Sequence, residues 1–454
     1  MSVSGHIVAM TVGGSVVKKA YYNSKLVFEI IDPPTNLYFV SASTFTINAG
    51  SAGWDGKVEY STDAKTWKTW DGTTVTAAKD SSDKKYKLYF RGTQNTYIYR
   101  TFSFTGNSTY TVEGSLMSLL DYQTVAAGDV PEMAATCFSG LCYNQTKLTE
   151  FNADLTATVV PEMGYYHMFY MCTGLTKAPT IYAETVGKEG MREMFYGCTS
   201  MVYMQNEMYI TDVADYGCYL AFYNCTALVH LPTFANSMDL SGGCAMDSMF
   251  MYCSSAVNSG DIYISLKKTG TACCRYMYKS CSLLQEGAHI TCTSSVSMYC
   301  FTEMFMLCTS LTDGGSITLA KQACGTYAFQ RMYANCTALL HLPQFSGYNL
   351  QAMDVAKCMF EGCNSCKEVW SFASLGPGVT SFIINSSGRP GVDCMWDNNA
   401  VYFSRDQGTT LCNEYQFTTV SMVSSTPNIF LKTLYAYGPN EKVYTNATVI
   451  TLNG

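Results

Sequence analysis

The chain has 454 residues, of which 14% are charged and 48% hydrophobic, with 34 tyrosines and 23 phenylalanines. This length exceeds one ordinary core and allows two or three domains. The hydrophobic content excludes a disordered chain and is typical of a packed, β-rich protein. The formal net charge of −7 argues against nucleic acid as a partner, because phosphate contacts need clustered Lys and Arg, and no basic run exceeds a pair.

The first 20 residues lack the charged start and the apolar stretch of a signal peptide. No run of 18 apolar residues occurs, so we expect no membrane insertion. We therefore expect the protein to stay in the compartment where it is made, unless a leader has been removed. The 21 cysteines argue against a disulfide scaffold, because a reducing cytoplasm keeps thiols free.

Short strands are predicted over residues 1–31, and Pro33-Pro34 interrupts the chain after them. The stretch from Val16 to Ile30, VVKKAYYNSKLVFEI, resembles a module found near the N-termini of phage tail and fibre proteins. Residues 32–108 then alternate apolar and polar side chains in runs such as KVEYST, KTWKTW and YKLYFRG. This alternation predicts a small antiparallel β-sandwich.

A repeat dominates residues 109–375. Motifs such as MFYGCTSM, AFYNCTAL and MFMLCTSL recur, with cysteines 26 to 28 residues apart at positions 172, 198, 225, 253, 281, 308, 336 and 363. A divergent first copy, LCYNQTKL, carries Gln145 in the cysteine position. A fixed period of this length predicts a solenoid of about nine coils, in which each coil buries its apolar face against its neighbours.

Each position of the repeat has a physical interpretation. Met or Ala lies four residues before the cysteine, an aromatic residue three before it, and an apolar residue three after it. We predict that these residues and the cysteines stack inward. The Thr, Ser or Asn directly after the cysteine is predicted to form a polar ladder where the chain turns and its backbone needs partners.

The residue five places after the cysteine is polar in most coils and varies from coil to coil. We predict an exposed column there, and with it the ligand-binding surface: Lys177, Tyr203, His230, Asn258, Glu286, Asp313, His341 and Glu368.

The aromatic-x-x-Cys-Thr-Ser-Leu core, with an upstream cysteine such as Cys300, resembles the BspA-type leucine-rich repeat. Leu231-Pro232 and Leu342-Pro343 resemble its LP ending, whereas GDIYISL, GAHITC and GGSITLA depart from it with longer strand-like runs. YSTDAKTWKTW with YFRGTQNTY resembles the immunoglobulin- or fibronectin-like domain fused to such repeats in gut phages and their hosts. The resemblance implies a virion protein that contacts a gut bacterium.

Residues 376–454 lose the period but keep strand-like stretches such as TSFIIN, AVYFS and NIFLKTLYAYG. A solenoid needs an end that resists edge-to-edge pairing, so a β-rich cap is predicted here. An oligomerisation domain is the alternative, and a homo-oligomer is left open.

Core packing is favoured over metal binding for the cysteines. Cys363 and Cys366 occupy repeat positions that hold Cys and Leu in other coils, and buried cysteine acts as a small hydrophobe. His230 and His341 share a column four coils apart, too far for one site. Glu150 with Asp154 and Asp393 with Asp397 are interpreted as solvated turns rather than glycosidase or calcium carboxylates. We predict no catalytic residues, no metal and no cofactor.

Three functions are compatible with these features. The leading hypothesis is a non-enzymatic phage virion protein, a tail or head fibre or decoration protein. It would be assembled in the host cytoplasm, bound to other virion proteins through its N-terminal domains, and directed at a host surface glycan or protein. A secreted bacterial surface adhesin is the second hypothesis, although it needs a leader and an anchor. A glycan depolymerase is the third, and the repeat columns supply no converging acids for it.

Overall fold

The structure is a computed structural model. It describes residues 35–346, apart from short gaps at 51–52, 101, 205–206, 235–236, 258–262, 320–323 and 342. Outside that range it describes short strands near both ends of the chain and residues 355, 359–363 and 365.

The N-terminal residues form two antiparallel strand pairs, β1 with β2 and β3 with β4. These strands are Thr11–Val12, Ser15–Val16, Lys19–Tyr22 and Lys25–Glu29. They lie within the segment for which the sequence predicts short strands.

Eleven further strands precede the repeats: β5 Leu37–Ser41, β6 Phe45–Asn48, β7 Gly53–Trp54, β8 Lys57–Ser61, β9 Lys68–Thr69, β10 Val75–Thr76, β11 Ala78–Lys79, β12 Tyr86–Thr93, β13 Ile98–Tyr99, β14 Ser103–Gly106 and β15 Tyr110–Gly114. The larger sheet of this region has the order β16-β15-β5-β12-β8-β9, in which β16 is Leu148–Phe151 and β11 pairs with β12, and a smaller sheet has the order β10-β6-β14. Burial alternates along β12, as its sequence pattern requires. The sandwich and the immunoglobulin-like assignment stay predictions.

A ten-residue helix, α1, spans Ser118–Ala127 and packs on β12. Asp121 interrupts it, and its carboxylate accepts hydrogen bonds from the backbone N–H groups of Gln123 and Thr124, as a helix N-cap does. Gly128 ends the helix at a φ of 88°. The contact with β12 requires Gly92, because a Cβ there would lie 1.6 Å from the Leu119 carbonyl oxygen.

Strand β16, Leu148–Phe151, joins the first coil to the large sheet by pairing in parallel with β15. Gln145, which replaces cysteine in this coil, accepts a hydrogen bond from the hydroxyl of Tyr110 at 3.0 Å. In later coils the residue at this position contacts the preceding coil. In the first coil, Gln145 instead bonds to a residue of the preceding sheet.

The repeats build a parallel sheet whose strands follow one another in chain order, from β17 to β24. They are Val159–Val160, Thr185–Val186, Asp212–Val213, Ser237–Leu240, Tyr263–Thr269, His289–Cys292, Ser316–Leu319 and Gln344–Ser346. One strand per coil, each paired with its sequence neighbours, is a β-solenoid. The predicted fold class, mainly β with a repeat solenoid, is confirmed. The longer runs that depart from the LP ending supply β21, β22 and β23.

The inward columns are also as predicted. The eight aromatic rings three residues before the cysteines are fully buried, and neighbouring rings stack with centroids 5.0 to 5.6 Å apart. The eight cysteines are buried beside them. The polar ladder is present from Ser254 to Thr337, where the hydroxyls of Ser282, Thr309 and Thr337 each donate to the backbone carbonyl one coil earlier.

The chain before each cysteine follows a regular pattern of left-handed residues that the sequence analysis did not predict. In seven coils, residues nine, five and one before the cysteine have φ between 51° and 70°, for example Tyr216, Leu220 and Asn224. Backbone N–H groups alternately donate within the coil and to the next coil, so this face is also hydrogen-bonded along the solenoid.

Three strands are described within the predicted C-terminal cap, β25 Tyr402–Ser404, β26 Leu411–Cys412 and β27 Tyr435–Tyr437, which form one antiparallel sheet. The choice between a cap and an oligomerisation domain rests on residues outside the described part of the chain.

Candidate functional site

The predicted polar column forms a line across the coils. Lys177 bridges to Tyr203, and Asp313 bridges to both Glu286 and His341, in parallel pairs. Tyr203 is 45% exposed. Among the other members of the column, His230 and His341 are exposed, whereas Lys177, Glu286 and Asp313 are half-buried. Asn258 and Glu368 lie outside the described residues.

Part of this column is engaged in local contacts. The Asp313 carboxylate accepts the backbone N–H of Gly315 at 2.8 Å. The Glu286 carboxylate lies 3.4 Å from the His289 ring nitrogen. Asp313 and Glu286 are thus engaged with neighbouring residues, and the role of the column in ligand binding stays a prediction.

A second line of side chains lies on another face and was missed from the sequence. Tyr143, Tyr170, Tyr196 and Tyr223 each stand two residues before the cysteine position of four consecutive coils. Their rings are nearly parallel, with successive centroids 5.0, 4.8 and 4.7 Å apart. We call these four residues the tyrosine row. The signal was visible in the motifs LCYNQ, MFYMC, MFYGC and AFYNC, which share Tyr at this position.

The tyrosine row is only partly covered. Tyr143 is 42% exposed, and the other three rings are half-buried. Because each ring packs on the next, the four rings are held in a fixed order, with part of each residue exposed to solvent. Such rings offer large contact area at low entropic cost on binding.

Charged residues flank the row at the second and third coils. The His167 ring nitrogen lies 2.9 Å from the Glu193 carboxylate, and Arg192 contacts the same carboxylate at 3.2 Å. Burial alone would raise the pKa of the Glu193 carboxyl, but the hydrogen bonds and charges of His167 and Arg192 outweigh it and hold that pKa below its ordinary value. The Arg192 guanidinium also lies over the rings of Tyr166 and Tyr219.

A cleft of about 760 Å³ opens where strand β13 meets the first coils. We call it the junction cleft. Backbone hydrogen bonds from Ile98 to Cys137 and from Arg100 to Ser139 hold its two sides together. Its lining residues are Tyr97, Tyr99, Arg100, Thr136, Ser139, Gly140, Tyr143, Met163, Tyr166 and His167.

Aromatic rings form most of the walls of the junction cleft. The rings of Tyr97 and Tyr99 lie 5.7 Å apart on one side. On the other side Tyr166 stacks on His167 at 3.8 Å, and His167 lies 6.0 Å from Tyr143. Tyr143 belongs both to the cleft and to the tyrosine row, so the two surfaces are continuous.

All the described cysteines are buried except Cys244, which is half-buried. Burial raises the pKa of the Cys172, Cys218 and Cys253 thiols to about 12. The Sγ atoms of Cys273 and Cys300, in adjacent coils, lie 3.1 Å apart. Within the described ranges, no group of three or more His, Cys, Asp or Glu side chains is placed to hold a metal ion.

Comparison with known proteins finds a solved structure that is similar to part of this chain. No protein-family model and no curated protein matches the chain. A solved leucine-rich repeat protein from Bacteroides ovatus is 14% identical to it over 52% of this chain and 81% of that one, with a TM-score of 0.19. Superposition at this level carries no structural argument, so the solenoid rests on the strand pairing described above. No helix among the described residues has the length and apolar character to cross a membrane.

Proposed function

We propose that the chain is a non-enzymatic attachment protein of a bacteriophage particle, a tail or head fibre or decoration protein. In this role the solenoid presents a recognition surface to the host bacterium, and the N-terminal domains bind other virion proteins. The observation that carries the proposal is the tyrosine row, a line of stacked, partly exposed rings that the core does not require.

The architecture suits recognition because the surface is fixed before binding. Coil-to-coil hydrogen bonds run along both the parallel sheet and the segment of left-handed residues. A rigid surface loses little conformational freedom on binding, which favours affinity. Tyrosine is enriched where proteins bind partners, since it combines an apolar ring with a hydroxyl.

Cell binding by the purified chain tests this function. The full chain is labelled and incubated with a panel of gut bacterial isolates, beside a triple variant of the row, Tyr170→Ala, Tyr196→Ala and Tyr223→Ala. A matched triple variant of the predicted column, Lys177→Ala, Tyr203→Ala and His230→Ala, serves as the control. Thermal melting establishes that both variants fold.

We expect the row variant to bind a recognised strain at least about tenfold more weakly, equivalent to about 1.4 kcal/mol. The column variant should stay within about twofold of the unsubstituted chain. A loss confined to the column variant would instead make the predicted column the recognition surface. Absence of binding to every isolate would count against attachment as the function.

A further inference from the structure

We propose that the junction cleft binds a carboxylated sugar of a surface glycan, such as a uronic or sialic acid, with the adjoining sugars lying along the tyrosine row. This inference rests on the proposed attachment function and names its ligand class. It combines three features of the described residues: the walls of the cleft, its charge, and its continuity with the row.

The walls of the cleft suit sugar rings. A volume of about 760 Å³ lies within the range of about 300 to 1,000 Å³ that is typical of ligand pockets. Pyranose rings present C–H groups on their faces, and these groups are attracted to the negative faces of aromatic rings. Tyr97 and Tyr99 on one side, with Tyr143 and Tyr166 on the other, supply four such rings. Their hydroxyls, with those of Thr136 and Ser139, can hydrogen-bond to sugar hydroxyls.

The charge of the cleft favours an anion. Arg100 is the one lining side chain with a permanent charge, and no Asp or Glu is among the described lining residues. Arg100 is exposed, and its guanidinium lies 5.7 Å from the Tyr99 ring centroid. A guanidinium can bind a carboxylate through two parallel hydrogen bonds. Within a chain of net charge −7, a cationic aromatic cleft discriminates between acidic and neutral sugars.

His167 completes the cleft as a fixed wall. Its ring is held between Tyr166, at 3.8 Å between centroids, and the Glu193 carboxylate, at 2.9 Å. Because the Glu193 carboxylate already bonds to the His167 ring, Arg100 is the cleft residue that selects the charge of the ligand.

Continuity with the tyrosine row predicts an oligosaccharide rather than a single sugar. Tyr143 lines the cleft and stacks on Tyr170 at 5.0 Å, and the row continues to Tyr223. A glycan held by its acidic sugar in the cleft would therefore meet further aromatic groups along the solenoid. Contacts with several sugars raise affinity beyond that of the single acidic unit.

A glycan array probed with the purified full chain tests the inference directly. The array carries uronic- and sialic-acid-bearing oligosaccharides together with their neutral counterparts. Three proteins are compared: the unsubstituted chain, Arg100→Gln, and the charge-matched control Lys267→Gln at an exposed position of β21. The strongest oligosaccharide is then titrated by calorimetry, both as it is and after reduction of its carboxyl group to an alcohol.

We expect acidic glycans to bind, with affinity about tenfold lower for Arg100→Gln and unchanged for Lys267→Gln. The carboxyl-reduced glycan should bind the unsubstituted chain and Arg100→Gln equally weakly. Equal binding of neutral and acidic glycans, or no binding to any glycan, would overturn the inference. If the chain binds cells but no glycan, the attachment function is supported and the ligand assignment is wrong. If it binds acidic glycans but no cells, the ligand assignment is supported and the attachment function is wrong.

Discussion

The thiol of Cys225 donates a hydrogen bond to the backbone carbonyl oxygen of Phe195, one coil earlier, across 3.1 Å. The same oxygen accepts the backbone N–H of Cys198 in its own coil. A carbonyl oxygen has two lone pairs, so both bonds form together. From Cys198 to Cys363, each cysteine of the column repeats this thiol contact with the aromatic residue of the preceding coil.

The thiol contact gives a reason for cysteine at this position beyond its size. Cys225→Ala should lower the free energy of unfolding by about 1–2 kcal/mol, through lost packing and one lost hydrogen bond. Cys225→Val restores the volume but not the donor, and should recover only part of that loss. Urea unfolding of the three proteins measures the difference. Full recovery by valine would show that the thiol bond contributes nothing.

The two tyrosines of the aromatic column, Tyr278 and Tyr333, differ in their hydroxyl partners. The Tyr333 hydroxyl donates to the Gly314 carbonyl at 2.7 Å, whereas the buried Tyr278 hydroxyl has no partner among the described atoms. Tyr278→Phe should therefore raise the free energy of unfolding by up to about 1 kcal/mol, and Tyr333→Phe should lower it by about 1 kcal/mol. Thermal melting of both variants checks this. Equal shifts of the same sign would contradict the assigned hydrogen bonds.

Asp247 is a buried carboxylate held by Arg275, whose Nε and Nη2 atoms lie 3.0 and 2.7 Å from it. Burial raises the pKa of Asp247 above its ordinary value, although Ser248 and Arg275 donate hydrogen bonds to the carboxylate. The folded protein therefore holds the Asp247 proton more tightly than the unfolded chain, so this group favours folding more strongly as pH falls through its folded pKa.

Arg275→Met leaves the Asp247 carboxylate without its cation. We expect a loss of about 3–5 kcal/mol near neutral pH, and a smaller loss at about pH 4, where the carboxyl is protonated more readily. The double variant Arg275→Met, Asp247→Asn should recover most of the neutral-pH loss. Urea unfolding at both pH values measures these effects. A loss that is independent of pH would contradict the pairing as the cause.

Leu307 occupies one of the left-handed positions, with a φ of 65°, and its side chain is 37% exposed. Leu307→Gly should stabilise the protein by up to about 1 kcal/mol, because glycine adopts this conformation without strain. Leu283, 47% exposed and without positive φ, is the matched control. Leu283→Gly should cost about 1 kcal/mol. If both glycines destabilise equally in thermal melts, the left-handed segment carries no strain at Leu307.

The inward columns could be predicted because a fixed period places Phe195, Cys198 and Met201 at equivalent points of every coil. The left-handed segment left a weaker signal in the residue before the cysteine position, where Asn or Gly stands in several coils, such as Asn224 and Gly197. Met, Tyr, Ser or Leu stands at the same position in other coils, so the residue type alone does not predict the left-handed conformation.

The junction cleft could not be found from the period. It forms because strand β13, which carries Tyr99, docks on the first coil, and no repeat position encodes that contact. The predicted column also shows the limit of periodicity. It identified a polar line that includes Tyr203, but it could not show that the tyrosine row and the junction cleft lie on a different face.

Immunogold electron microscopy of purified phage particles tests the proposed function most directly. An antibody against the full chain should label intact particles, and label at the tail tip would place the solenoid where host contact occurs. Label confined to bacterial surfaces, with none on particles, would contradict a virion protein and support a cell-surface adhesin.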